Sequence, residues 1–214
     1  MSTLTKLALG MMGKLRPRPA KGTAATSIAL PAVDRHGGLP LMEAFAQRRS
    51  AREFAPDARP IEVLSAVLWA AWGVNRPGGP RTAPSAIDCQ EIDLFVALPT
   101  GAYLYDATAH ALQLVTGSDV RRVTGYQDFV DEAPLDLVFV ADHARMTPVP
   151  AGQRERYACV AAGAIAQNVY LYAASAGLAT VLRAWIDRTA IADALGLTHD
   201  QQVLLSQTVG YPKR

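Results

Sequence analysis

The sequence predicts an α+β fold, a mixed and mainly antiparallel sheet flanked by helices. Leu135 to Ala141 is an unbroken apolar run, too short for a helix, and reads as a strand covered on both faces. Cys159 to Leu171 is apolar nearly all round, which predicts a long helix packed on every side. Around these two, strands and helices do not alternate regularly, which argues against a doubly wound parallel sheet. With 214 residues, half of them hydrophobic, the chain has material for one sizeable core.

In chain order, residues 1 to 38 read as a flexible N-terminal arm, disordered or laid over a partner surface. They are rich in Pro, Ala, Thr and basic residues. Lys14, Arg16 and Arg18 follow the short apolar patch Leu7 to Met12 instead of preceding it, a poor match to an export signal, with a cleaved signal as the alternative reading. The folded domain is expected from 39 to 214.

Leu41, Met42, Ala44, Phe45 and Ala46 place apolar groups on one side of a helix ending near Arg49. Pro60 opens a second helix, Ile61 to Val74, before the breaker Asn75-Arg76-Pro77-Gly78-Gly79-Pro80. A strand follows at Ile92 to Ala97. Ala102 to Asp106 and Leu112 to Val115 form a hairpin, and Val120 to Val123 continues the sheet region. Gly125 to Phe129 is a polar turn. The long helix runs from about Gln153 to Ser175 and stops at Gly177. Its small residues Ala161, Ala162, Gly163, Ala164 and Ala166 suit close approach of a second helix, as at a subunit interface. Leu178 to Ile186 is extended, Thr189 to Leu195 a short helix stopped by Gly196, and Val203 to Val209 a final strand.

Charge and cysteine usage exclude several function classes. The net charge is +2, but residues 1 to 34 alone carry +4, which leaves −2 on the rest and no basic surplus to track nucleic acid. Cys89 and Cys159 lack the spacing of a zinc, iron-sulfur or redox pair and read as buried thiols in a reducing compartment, hence a cytoplasmic protein. The four histidines are scattered, so no metal site is expected, and no segment suits a membrane span.

Gln47-Arg48-Arg49-Ser50-Ala51-Arg52-Glu53-Phe54 is the most chemically loaded stretch. Three guanidinium groups and a hydroxyl within five residues, at the end of a helix, suit a phosphate dianion; alone, the stretch is equally a solvated basic turn.

Four segments in order, Arg48 to Phe54, Ala83-Pro84-Ser85-Ala86-Ile87-Asp88, Gly177-Leu178-Ala179-Thr180 and Gly210-Tyr211-Pro212-Lys213-Arg214, resemble the FMN-dependent nitroreductase superfamily over residues 39 to 214. Arg81 to Ala86, Gln90-Glu91-Ile92 and Gly125-Tyr126-Gln127 are most similar to its azoline dehydrogenase-like branch. The resemblance implies a nitroreductase-like fold, an intertwined homodimer, FMN as cofactor and NAD(P)H as electron donor. It implies that Arg48, Arg49, Ser50 and Arg52 hold the FMN phosphate and ribityl chain, and that Lys213 and Arg214 close on the same phosphate. Pro84, Ser85, Ala86 and Asp88 belong to a loop contributed by the other subunit. Gln127 matches an amide position at the flavin edge, and Arg183, Ala184 and Trp185 offer backbone N–H groups near flavin N5. Asp88 stands where the family usually has Asn, and Ala184 and Trp185 where it usually has glycines.

The chemistry then rests on the flavin and asks for no catalytic side chain. The expected activity is ping-pong transfer of hydride from NAD(P)H through FMN to a small organic acceptor such as a nitroaromatic or quinone. An azoline-type peptide dehydrogenase and a non-catalytic flavin-binding protein are the alternatives.

Overall fold

A computed structural model of the chain describes residues 1–56 and 60–213. Its centre is a seven-stranded sheet. Strands β2 (Ser27–Ala29), β3 (Ile92–Leu98), β4 (Gly101–Asp106), β5 (Ala111–Thr116), β7 (Leu135–Asp142), β8 (Ala179–Arg183) and β9 (Gln201–Gly210) lie in the order β2-β5-β4-β3-β7-β9-β8. Every neighbouring pair is antiparallel. A two-stranded ribbon joins β1 (Arg18–Pro19) to β6 (Ser118–Asp119).

β7 is the axis of the fold. Its odd positions Leu135, Leu137, Phe139 and Ala141 join the core beneath helices α3 (Ile61–Trp72) and α4 (Ala151–Ser175), with Val67, Leu68 and Ile165. Its even positions Val138 and Val140 join a second core on the opposite face, with Ile186, Ile191 and Leu195, the last two from α5 (Arg188–Leu195). The two-residue strand period thus feeds two cores, and the apolar run expected to be covered on both faces is so covered. Asp136 breaks the pattern. It is fully buried, and its carboxylate accepts from Arg183 Nη2 at 2.7 Å and from the Thr208 hydroxyl.

α4 differs from the expected helix buried on every side. Ala158, Ala162, Ile165 and Val169 face the core, whereas Tyr157, Cys159 and Val160 face outward. Cys159 is therefore exposed and Cys89 only half-buried, a correction to the reading of both as buried thiols. The helix carries so many small residues that composition alone does not distinguish its two sides. Likewise α2 (Leu41–Gln47) buries only Ala44 and leaves Leu41, Met42 and Phe45 exposed in the single chain. Val120 to Val123 belongs to a 3-10 turn, Arg121–Thr124, instead of the sheet.

The first 38 residues pack on the body where the sequence suggests a separate arm. Helix α1 (Thr3–Met11) buries Lys6 completely, its ammonium 2.5 Å from Asp131. Leu15 lies in the second core, and Arg18 donates to Asp119 at 3.0 Å. β2 then borders the sheet beside β5. Next to it Ser65 Oγ donates to Pro31 O and receives His110 Nε2–H, while Tyr105 donates to His110 Nδ1. The carboxylates that receive these basic residues lie more than a hundred positions downstream, so the local sequence of the segment looks unpartnered.

Candidate functional site

The Arg/Ser stretch leaves α2 and runs along β8, with Ala51 N donating to Thr180 O at 2.9 Å. It then meets the chain beyond β9. Phe54 bridges Pro212, Ala55 N donates to Tyr211 O at 2.9 Å, and Lys213 N donates to Glu53 O at 3.2 Å. This short antiparallel pairing fixes the cations on two adjoining grooves. Arg48 and Arg49 line one of about 490 Å³, floored by Ala173, Gly177 and Thr180. Arg52 and Lys213 line a second of about 280 Å³, walled by Phe129 and Asp128. Pro212 borders the first groove and Phe54 the second.

Tyr170 of α4 organises the first groove and is not marked by any motif. Its ring lies 5.1 Å from the Arg48 guanidinium carbon. Its hydroxyl receives Leu182 N–H at 2.9 Å and shares a 2.8 Å hydrogen bond with Ser50 Oγ. With Tyr170 donating to Ser50, the Ser50 proton is left for another acceptor. α4 carries three tyrosines, Tyr157, Tyr170 and Tyr172, and nothing in their sequence context singles out Tyr170.

Pro84, Ser85 and Asp88 lie around another groove, of about 500 Å³, with Arg76 and Arg81; Ala86 opens the 3-10 turn Ala86–Asp88 beside it. Ile87, Asp88 and Gln90 all have φ near +50°, a conformation costly for residues with a side chain, and costliest for β-branched Ile87. Hydrogen bonds hold the loop in that state: Gln90 N to Ser85 Oγ at 3.0 Å, Arg81 Nε to Gln90 Oε1 at 2.9 Å, and Gln90 Nε2 to Asp88 Oδ1 at 3.3 Å. Such over-determined strain is concentrated at functional sites. Among the described residues Asp88 forms no ion pair, and its carboxylate stays exposed.

Gln127 and Arg183 sit on a third side. The Gln127 carbonyl accepts from Lys6 at 2.9 Å, and its side-chain oxygen is buried without a hydrogen-bond partner. Arg183 is buried, donating to Asp136, Thr124 O and Thr208, with its guanidinium 5.8 Å from the Phe129 ring centre. Burial pulls its pKa below the usual guanidinium value, opposed by Asp136. Its side chain is thus committed to the core, and only its backbone remains for a ligand. Ala184 and Trp185 follow it as exposed residues.

The single chain therefore sets Arg48 and Arg49 on one groove, Arg52 and Lys213 on a second, and Pro84, Ser85 and Asp88 on a third, with Ser50 hydrogen-bonded to Tyr170 of the first. Arg214 lies outside the described residues.

The Nitroreductase family model matches residues 45–211. A crystal structure from Ralstonia eutropha JMP134, provisionally named a nitroreductase, is 51% identical with a TM-score of 0.88, covering 94% of this chain and 96% of that one. A provisionally named nitroreductase of Methanocaldococcus jannaschii is 31% identical over 164 residues, 72% of this chain and 81% of that protein. Two more distant structures share the fold. One from Desulfovibrio desulfuricans, solved with FMN, has a TM-score of 0.59 at 23% identity, covering 82% and 88% of the two chains. A chain of the E. coli microcin synthetase McbBCD complex has 0.68 at 17% identity, covering 99% and 93%.

Proposed function

Since the chain belongs to the nitroreductase family, we propose that it is an FMN-dependent oxidoreductase that takes hydride from NAD(P)H and delivers it to a small organic acceptor such as a nitroaromatic or a quinone. The observation that carries the reading is the pairing of Glu53–Ala55 with Tyr211–Lys213, which sets Arg52 and Lys213 on one groove beside Arg48 and Arg49. Four cationic side chains from two distant parts of the chain line these two grooves, and each suits a phosphate dianion as a charge-assisted donor.

The residues present fit FMN on a further count. Ser50 shares a hydrogen bond with Tyr170, which lines the first groove, and Thr180 lines its floor along β8. When bound, FMN supplies hydride chemistry at N5; the chain supplies anchoring, orientation and the local field. Arg48, Arg49, Arg52 and Lys213 would hold the phosphate, and the exposed backbone of Ala184 at the end of β8 would present its N–H to the ring. Pro84, Ser85, Ala86 and Asp88 lie too far round the chain to share the first groove, so in this reading they act on the cofactor of a second subunit in a homodimer.

Purified protein should bind FMN, show the flavin absorbance bands and lose them on mixing with NADH or NADPH in a stopped-flow instrument. Addition of a nitroaromatic or quinone should restore them. Protein that cannot be reconstituted with FMN refutes the reading. Bound FMN that no nicotinamide bleaches favours an azoline-type oxidative enzyme or a flavin-binding protein without turnover.

A further inference from the structure

Helix α1 is amphipathic in the reverse sense to an ordinary surface helix. Its one charged side chain, Lys6, is fully buried, whereas Leu4, Ala8 and Met11, and Met12 just beyond the last turn, face solvent. Leu4 is 78% exposed and Met11 76%. Spaced four and three apart, Leu4, Ala8 and Met11 form a single stripe, and Thr5 is the one exposed polar side chain within the helix. The helix cannot hide that stripe by turning. Lys6 Nζ donates to Gly125 O at 3.3 Å and Gln127 O at 2.9 Å and pairs with Asp131. Gly10 lies so close to Tyr126 that a β-carbon there would stand 2.7 Å from the ring, and beyond the helix Leu15 is held in the second core. Apolar surface presented this rigidly marks a site of contact.

The charge beside the stripe says what covers it. Residues 1–33 contain no Asp or Glu. Of their cations, Lys6 and Arg18 are matched by Asp131 and Asp119, but Lys14 and Arg16, directly after Met11 and Met12, are exposed and form no ion pair among the described residues. The exposed acids Asp128 and Glu132 lie at the other end of α1, around the groove that Met1 shares with Arg52 and Lys213. An apolar stripe that ends in unneutralised positive charge is complementary to an anionic bilayer surface, which takes apolar side chains at the acyl boundary and cations among its headgroups. A second copy of the chain fits less well, because a two-fold contact would bring two like-charged patches together. The other exposed apolar side chains, Leu41, Met42 and Phe45 of α2 and Val160 of α4, are not continuous with this face: α2 packs on α4 over the first core, whereas Leu9 of α1 packs against the second. Among the described residues no helix is long and apolar enough to cross a membrane, and the nine residues of α1 span only about 13 Å, so this contact lies along the surface.

We propose that the outer face of α1, together with Lys14 and Arg16, docks the folded protein on an anionic lipid surface. Leu4, Met11 and Met12 enter the acyl boundary, and the two cations meet headgroup phosphates. Lys6 and Gly10 fix the rotation of the helix that presents them. The contact needs no cofactor and stands independently of the flavin reading.

The test is co-sedimentation of the full chain with vesicles of phosphatidylcholine, with and without phosphatidylglycerol. Binding should require phosphatidylglycerol and weaken as salt is raised. One basic residue at such a surface is a factor of about five, so Lys14→Glu combined with Arg16→Glu should weaken binding at least about twentyfold. Leu4→Ser combined with Met11→Ser should weaken it about tenfold. All four side chains are exposed, so thermal melting should show the fold intact in both variants. Met42→Ser on α2, 77% exposed in the single chain, should leave vesicle binding unchanged. Wild-type protein that stays in the supernatant with both kinds of vesicle overturns the proposal. So does binding that survives the Leu4 and Met11 substitutions, or that Met42→Ser weakens as much. Loss of an oligomer on size-exclusion chromatography in the Leu4 and Met11 variant also overturns it, by assigning the stripe to a second copy.

Discussion

The backbone N–H of Lys213 meets the carbonyl of Glu53 at 3.2 Å, so the cation that follows the last strand is positioned by the segment that carries the arginines. Arg52 and Lys213 are both exposed and share one groove, so replacing either with Ala removes charge without opening the core. Each substitution should weaken FMN binding by about 1.5 to 3 kcal/mol, the range for hydrogen bonds to charged groups. Flavin fluorescence titration measures this, and unfolding midpoints should stay within error. Unchanged affinity in both variants would remove the phosphate assignment.

Lys6 is sealed from solvent against Asp131, itself nearly buried, whose carboxylate also pairs with the Met1 ammonium at 3.3 Å and Arg122 Nε at 3.6 Å. Lys6→Met keeps the aliphatic stem and leaves the carboxylate only the more exposed Met1 ammonium and Arg122 as cationic partners among the described residues. Breaking a buried pair from one side costs about 3 to 5 kcal/mol. Urea unfolding should show a loss of that order, and Lys6→Met combined with Asp131→Leu should recover most of it.

The pH dependence of stability has two opposed contributors. Glu91 is fully buried with neither carboxylate oxygen hydrogen-bonded, and burial raises its pKa above 4.5 against the pull of its own nearby backbone N–H and of Arg145. Its folded value exceeds its unfolded one, so its contribution is whole below 4.5 and is lost as pH rises through the folded value. His110 runs the other way. Burial lowers its pKa below 6.5, so its contribution is whole above 6.5 and is lost as pH falls through the folded value. Glu91→Gln should therefore gain stability over the wild type in neutral buffer and gain none below pH 4.5, as thermal melts across pH will show. A gain independent of pH would mean that Glu91 titrates as an exposed carboxylate does.

Gly125 is needed for space, since its φ of 177° is open to any residue. A β-carbon there would stand 1.9 Å from Arg183 Nη1, which cannot retreat without leaving Thr124 O. Gly125→Ala should cost at least the roughly 1 to 3 kcal/mol of an overpacked core, and more if the Asp136 pair is disturbed. Guanidinium unfolding measures the loss. Gly163→Ala, with nothing within 4 Å of the added carbon, is the control without a clash and should gain roughly 0.5 to 1 kcal/mol of helix propensity.

The elements legible in the sequence are those whose periodicity is set locally. β3, β7, α3, α4 and α5 fall within one or two residues of the expected bounds because apolar spacing and Pro or Gly punctuation mark them directly. What escaped depends on partners distant in the chain. Lys6 and Arg18 look like solvated cations until Asp131 and Asp119 fold over them. The Arg48–Arg52 stretch suggests a phosphate site only through its residue types, and its relation to Lys213 was expected only through resemblance. Tyr170 was not legible, since a helical aromatic ordinarily signals core. The outward face of α4 escaped for the opposite reason: alanines are equally suited to either side.

The attachment of residues 1–38 bears on how interchangeable the matched segment is. A chimera that grafts 45–211 from this chain onto another member's N-terminus would carry Asp119, Asp131 and the Tyr126 loop, but leave behind Lys6, Arg18 and the Gly10 notch that fit them. The boundary of the matched segment is therefore not a seam in the molecule: parts exchanged along it would keep Arg121 and Arg122 beside the buried acids but lose Lys6 and Arg18.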